Sequence, residues 1–160
     1  MLFEATVNLM KPYSEACEEN KQPILVVLER VFAGSRSVLE IGSGTGQHAV
    51  YFGAALGHLI WQTSDRPENH PGIRRWLDEA ALPNVRAPVC LDVAGEWPCE
   101  RFDAVFSANT THIMSWPEVE ELFGGVGRVL NPGGCFALYG PFNFGGSYTS
   151  ESNARFDESL

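Results

Sequence analysis

Three glycines in one short stretch are the residues of this sequence best suited to approach a ligand. Gly42, Gly44 and Gly46 follow the apolar segment SVLEI and precede the helical segment QHAVYFGAAL. Glycine has no Cβ, so the backbone turns tightly and a ligand can come close to it. The N–H groups at a helix start attract polar or anionic groups. The pattern therefore predicts a strand–loop–helix unit with a ligand at the loop, the alternative being a tight turn without one.

The spacing of these glycines distinguishes two classes of cofactor. The dinucleotide fingerprint G-x-G-x-x-G/A requires a small residue at position 47, where this chain has Gln47, which disfavours a nicotinamide-dependent oxidoreductase. The chain instead has E-x-G-x-G-x-G, which resembles the first motif of the class I S-adenosylmethionine (SAM)-dependent methyltransferases. Glu40, its first residue, suits a cofactor that carries an ammonium and a sulfonium. We therefore expect SAM as the cofactor, with Glu40, Ser43 and the three glycines in its site.

Two acidic residues lie at the ends of the next two predicted strands. Asp65 closes HLIWQTSD and Asp92 closes the segment VRAPVCLD. In open α/β sheets the ligand lies outside the carboxyl ends of the strands, where an acid binds ribose hydroxyls. We expect Asp65 in that role, and the family resemblance implies that Asp92, with Val93 beside it, holds the adenine. The alternative is that both acids only stabilise turns.

The segment after the fourth predicted strand could carry the chemistry. In the methyltransferase arrangement Ser107 and Asn109 pass beside the methionyl group of the cofactor. His112 would lie over the substrate and could act as a general base near neutral pH, although it could equally only order the loop. Tyr139, at the end of the fifth predicted strand, is the second candidate for accepting a proton.

The polar residues after the fifth predicted strand are candidates for substrate contact. The segment YGPFNFGGSYTSESNARF mixes aromatic residues, glycines and amides at a strand's carboxyl end, where binding loops belong. We single out Asn143, Tyr148 and Asn153, the alternative being an ordinary loop that enters a helix. Neither a Ser/His/Asp triad pattern nor a metal-ligand pattern occurs in the sequence, so no metal is expected.

Helical and apolar strand segments alternate along the chain, which predicts an α/β fold with a Rossmann-like, doubly wound, mostly parallel sheet. Pro23 is expected to interrupt the first helical segment, and Pro88 favours an edge position for the third strand. The sequence NPGG is expected to form a turn. The predicted strands span 37–41, 58–65, 85–93, 102–109 and 135–141, and the predicted helices that follow the first strand span the QHAVYFGAAL segment, 72–82 and 116–130.

Length and composition describe a single domain. The 160 residues divide into an N-terminal helical segment (1–35), a cofactor-binding core (37–141) and a substrate loop with the start of a helix (142–160). The net charge of −9 disfavours a nucleic-acid substrate, because phosphate binding needs a basic face. No apolar run is long enough for a bilayer. The four cysteines form no C-x-x-C pair, which favours reduced cysteines in the cytoplasm.

Several segments together resemble one group, the small family that includes methyltransferase-like protein twenty-six. They are KPYSEACEENKQPIL, VLEIGSGTGQHAVYF, WQTSD, SANTTHIMSWPEVEELF and LYGPFNFGGSYTSESNARFDESL. The resemblance implies the class I methyltransferase fold, SAM binding, and a place near the cofactor for Asn20 and Lys21. That fold has seven strands and five are predicted here, so we expect the last two to be missing. The exposed sheet edge is then expected to form a homodimer or higher assembly, the alternative being a marginally stable monomer that aggregates on warming.

Two functions follow from these patterns. The first is methyl transfer from SAM to a small-molecule acceptor. The alternative is a SAM-binding regulatory or scaffold protein without turnover.

Overall fold

The structure is a computed structural model that describes residues 10–142, in which helices and strands alternate except between the third and fourth strands, where no helix intervenes. Short 3-10 turns at Pro67–Asn69 and Thr111–Ile113 follow the second and fourth strands. The main elements are α1 (Glu15–Val31), β1 (Ser37–Ile41), α2 (Gln47–Ala55), β2 (Ile60–Asp65), α3 (His70–Ala80), β3 (Val85–Cys90), β4 (Phe102–Ala108), α4 (Trp116–Val129) and β5 (Leu130–Tyr139).

The five strands within residues 10–142 form one parallel sheet in the order β3-β2-β1-β4-β5. β1 is central, and its Leu39 pairs with Gln62 of β2 on one side and Val105 of β4 on the other. The doubly wound prediction is confirmed. The direction of winding reverses between β1 and β4, and in such sheets the ligand site lies beyond the carboxyl ends of the strands at this reversal.

Each face of the sheet buries its own apolar layer, because successive strand residues point to opposite faces. On one face Leu28 of α1 and Phe52 of α2 pack with Trp61 and Phe106, all at most 1% exposed. On the other face Leu39 packs in a cluster that contains Leu122, Val126 and Val129 of α4. Burying a side chain of this size contributes about 1.5–3 kcal/mol, so the two layers hold the strand ends in a fixed arrangement.

The first helix runs unbroken through Pro23, so the predicted interruption is wrong. Ser14 caps the helix by accepting a hydrogen bond from the N–H of Cys17 at 3.3 Å. Packing outweighs the cost of the proline, because Ile24 and Leu28 beyond it are buried in the core. Pro23 has no N–H, so it cannot donate the helix hydrogen bond that the Glu19 carbonyl would otherwise accept.

The other element boundaries match the predicted ones or differ from them by one or two residues, except in β3 and β5, where they differ by more. β3 ends at Cys90 rather than at position 93, although it is an edge strand, as Pro88 indicated. The NPGG segment lies inside β5 instead of forming a separate turn, with Gly133 at φ +79°. The register against β4 shifts between Phe102 and Ala104, which accommodates the irregular segment. No helix within residues 10–142 combines the length and the apolar character that crossing a membrane requires.

Candidate functional site

The glycine loop joins β1 to α2, and all three glycines have positive φ: +71° at Gly42, +59° at Gly44 and +95° at Gly46. A Cβ on Gly42 would lie 2.6 Å from Cγ2 of Thr110, and one on Gly46 would lie 3.2 Å from the Cα of Ile73. Packing therefore requires glycine at both positions. A Cβ on Gly44 would meet nothing within 4 Å, so the space above this residue is open to a ligand.

The carboxylate of Asp65 is held by three donors at the end of β2. Its Oδ2 accepts a hydrogen bond from the N–H of Gly44 at 2.7 Å. Its Oδ1 accepts one from the N–H of Arg66 at 2.7 Å and one from Nδ2 of Asn69 at 3.0 Å. Asp65 is only 9% exposed. The glycine loop and the end of β2 are therefore fixed relative to each other, with the carboxylate at the edge of a cavity.

This first cavity has a volume of about 470 Å³, within the range typical of small-molecule sites. It contains four of the residues predicted from sequence, which are Gly42, Asp65, Asp92 and Val93. It also contains residues that the sequence did not single out, among them Arg66, Asn69, Thr110, Met114 and Glu118.

Arg66 lies at the mouth of the first cavity between two acidic residues. Its Nε is 3.4 Å from Oδ2 of Asp92, and its Nη2 is 3.7 Å from Oε1 of Glu118. Asp92 also accepts a hydrogen bond from the N–H of Ala94 at 3.1 Å, the turn-stabilising role considered from sequence. Asp92 thus combines a turn role with a place in the cavity wall, and its contact with adenine stays a prediction.

Glu40 lies beneath the glycine loop, where it is 2% exposed. One of its carboxyl oxygens accepts a hydrogen bond from Nε1 of Trp61 at 2.6 Å. Burial raises the pKa of Glu40 to about 7, against the opposing effect of the hydrogen bonds from Trp61 and Ser43. The side chain is not part of either cavity wall, so contact with a cofactor ammonium stays a prediction.

Two predicted site residues tie neighbouring strand ends together. The hydroxyl of Ser43 accepts a hydrogen bond from the N–H of Ser64 at 3.0 Å, linking the loop to β2. Ser107 donates to the carbonyl of Ile41 at 2.9 Å, and its Oγ is 2.6 Å from that of Thr110. Both serines are buried and hold the loop in place.

The second cavity lies between α1 and the carboxyl ends of β4 and β5, with a volume of about 660 Å³. It contains three of the residues singled out from sequence, Asn109, His112 and Tyr139, together with Glu19 and Asn20, and the roles of the three stay predictions. Asn109 has φ +55°, and its N–H donates to the carbonyl of Tyr139 at 2.8 Å, which brings the two strand ends together.

The remaining substrate candidates, Asn143, Tyr148 and Asn153, lie outside the described residues. Within residues 10–142 no group of three or more histidine, cysteine or acidic side chains could hold a metal ion.

Two residues of α2 attach α1 to the site, and the local sequence pattern did not reveal this role. Oε1 of Gln47 accepts a hydrogen bond from the N–H of Ser14 at 2.6 Å, and its Nε2 donates to the Ser14 carbonyl at 3.2 Å. His48 is hydrogen-bonded through Nε2 to Oδ1 of Asn20 at 2.7 Å. Asn20 itself was indicated only by the family resemblance.

The profile of a family described as "Protein of unknown function (DUF938)" matches residues 11–160, nearly the whole chain. The chain belongs to the DUF938 family. The description gives no activity, so membership alone assigns neither a cofactor nor a substrate.

Solved structures similar to this member of DUF938 are methyltransferases. An O-methyltransferase family protein from Burkholderia thailandensis has a TM-score of 0.76 and 20% identity, over 90% of this chain and 45% of that one. The SAM-dependent methyltransferase SibL has a TM-score of 0.77 and 23% identity, over 89% and 41%. The glycopeptide N-methyltransferase MtfA, solved with SAM, has a TM-score of 0.65 and 21% identity, over 83% and 57%. The DUF938 chain therefore has a methyltransferase fold, and it spans less than half the length of the first two.

Proposed function

We propose that this DUF938 protein binds SAM and transfers its methyl group to a small-molecule acceptor. The observation that carries the proposal is the hydrogen bond from the N–H of Gly44 to the carboxylate of Asp65. This bond joins the acid at the end of β2 to the glycine loop, which follows β1 and so borders the reversal point where a nucleoside ligand would bind. The methyltransferase fold of the similar structures supports the same reading.

The two cavities would bind different parts of SAM. Asp65 would bind the ribose hydroxyls in the first cavity, with Asp92 and Val93 beside the adenine. The methionyl group would pass the glycine loop near Asn109, and the methyl group would face the second cavity. SAM is the methyl donor in this chemistry, and the acceptor displaces its sulfonium in line.

Most of the rate enhancement in such a reaction comes from holding the two reactants in position, and we assign this role to the two cavities. His112 and Tyr139 both border the second cavity and are the candidates for accepting the acceptor's proton. We also propose membership of the wider group that includes methyltransferase-like protein twenty-six, and a cytoplasmic location, which suits the free state of all four cysteines.

Calorimetry tests the cofactor directly. We expect the folded protein to bind SAM and its demethylated product, S-adenosylhomocysteine (SAH), and not to bind NAD. Asp65→Ala should weaken SAM binding by about 1–3 kcal/mol, because buried polar partners lose their hydrogen bonds. Asp78→Ala, on the exposed surface of α3, is the matched control. Absence of binding heat with both SAM and SAH would refute the proposal.

A further inference from the structure

The second cavity has a wall on α1 that no sequence motif accounts for. Glu19 and Asn20 are consecutive on this helix and face Asn109, His112 and Tyr139 across the cavity. With a volume of about 660 Å³, the cavity has room for a small acceptor next to the methyl group of a bound cofactor.

Asn20 is a polar group held in a fixed position in this wall. It is 9% exposed, and the 2.7 Å hydrogen bond to Nε2 of His48 fixes its side chain from behind. His48 is itself buried and packs against the rings of Phe52 and Phe106. One end of the Asn20 amide is thus occupied by His48, and the side chain borders the cavity.

The charge of the cavity favours a donor-rich, cationic ligand over an anion. Among the described residues that line it, Glu19 is the one that carries a full charge at neutral pH. The nearby cation Lys21 is engaged elsewhere, since it pairs with Glu18 and lies 4.7 Å from the ring centre of Tyr51. An anionic acceptor would therefore find no partner of opposite charge among the described residues of this wall.

Glu19 brings an acceptor to the wall on α1, because its side chain is a carboxylate. An ammonium group has three N–H donors and no acceptor, so it matches such a wall.

We propose that the second cavity binds the methyl acceptor through an amine, which Glu19 contacts, and that the protein is an N-methyltransferase. This inference rests on the proposed function. The bound ammonium loses a proton to His112 or to solvent, and the nitrogen lone pair then forms the N–C bond. The S–C bond breaks as its electron pair stays on sulfur, giving SAH and the methylated amine, which releases its remaining extra proton to solvent.

Three probes of matched shape test the amine preference: phenethylamine, 3-phenylpropionate and 2-phenylethanol. Each is titrated by calorimetry into the protein saturated with SAH, so that no turnover occurs. We expect phenethylamine to bind at least about tenfold more tightly than the carboxylate, a difference of about 1.4 kcal/mol. Equal or tighter binding of the carboxylate, or no binding of any of the three probes, would overturn the inference.

Variants assign the preference to α1. Glu19→Gln should weaken phenethylamine binding by about fivefold, the upper range for a partly exposed ion pair, and leave 2-phenylethanol unchanged. Glu29→Gln, on the exposed face of the same helix, is the control and should change neither affinity. Identical behaviour of the Glu19 and Glu29 variants would contradict the assignment.

The same titrations separate failure of this inference from failure of the proposed function. SAH binding is measured first. If SAH does not bind, the probes are titrated into the ligand-free chain, because Glu19 and Asn20 border the cavity without any cofactor. If the ligand-free chain prefers the amine, the amine site is supported and SAM binding is contradicted. If SAH binds but the amine is not preferred, SAM binding is supported and the amine site is contradicted.

Discussion

At the scale of single residues, Glu40 shows how one side chain combines sequence pattern and tertiary environment. Its position before the glycines is readable from the E-x-G-x-G-x-G spacing. Its hydrogen bond to Trp61 could not be predicted from the sequence, because the two residues lie on different strands and are 21 positions apart in the chain. The Arg66 bridge between Asp92 and Glu118 was missed for the same reason, since it joins side chains from three separate segments.

The buried carboxyl of Glu40 makes folding stability depend on pH. Its pKa in the folded protein is about 7, above the ordinary value of 4.5, because burial disfavours the charged form. The folded state therefore binds more protons than the unfolded state between these values, and its stability falls as pH rises from about 4.5 to about 7. Burial lowers the pKa of His48 to about 4, and this shift has the opposite effect on stability. The stability that the neutral His48 contributes is fully present above pH 6.5 and is lost as the pH falls towards 4.

Glu40→Gln isolates the first effect, because glutamine keeps the acceptor for Trp61 and never ionises. We expect the variant and the original protein to be nearly equal in stability at pH 4.5. At pH 8 the variant should be more stable, by about 3 kcal/mol. Urea unfolding at the two pH values measures this, with Glu29→Gln as the surface control. Parallel stability profiles for Glu40→Gln and the original would show that the carboxyl is not desolvated. Weaker SAM binding by the same variant would support its predicted contact with the cofactor ammonium.

At the scale of elements, the sequence predicted where strands end more reliably than how α1 behaves. The glycine loop and Asp65 are local features, because turn geometry and strand-end chemistry are encoded by adjacent residues. Continuation of α1 through Pro23 depends on packing of Ile24 and Leu28 in the core, which overrides the local preference of the proline. Its attachment to α2 depends on Gln47, whose side chain reaches the backbone of a residue 33 positions away.

Removing that attachment should loosen the start of α1 without unfolding the sheet. Gln47→Ala deletes both hydrogen bonds to Ser14, and we expect a loss of about 1–3 kcal/mol of unfolding free energy. Amide hydrogen exchange should quicken in the first turns of α1, while β1 and β4 keep their protection. Gln22→Ala, at an exposed position of α1, should change neither measurement. Unchanged exchange at residues 17–20 in the Gln47 variant would mean that Asn20 and His48 suffice to hold the helix.

At the scale of the whole molecule, β5 presents one edge of the sheet. The carbonyl of Tyr139 accepts a hydrogen bond from the N–H of Asn109, the residue that follows β4. Because backbone groups alternate sides along a strand, Ala137 and Tyr139 face β4, whereas Phe136 and Leu138 turn their N–H and C=O groups away. Within residues 10–142 no strand lies on that side. Such an edge pairs readily with another chain, which is the basis of the homodimer predicted from sequence.

Hydrogen exchange and sedimentation together test the dimer. We expect the amides of Phe136 and Leu138 to exchange slowly in concentrated protein and quickly on dilution, in step with dissociation of the dimer. Those of Ala137 and Tyr139 should stay protected throughout, because they bond to β4. Leu138→Pro removes an outward-facing N–H and should give a monomer with the intramolecular ladder intact, whereas Ala137→Pro should disrupt the pairing with β4 itself. Slow exchange at Phe136 and Leu138 that is independent of concentration would show that the edge is covered within the same chain. Rapid exchange in a monomer at every concentration would show an open edge, and either result would contradict the dimer.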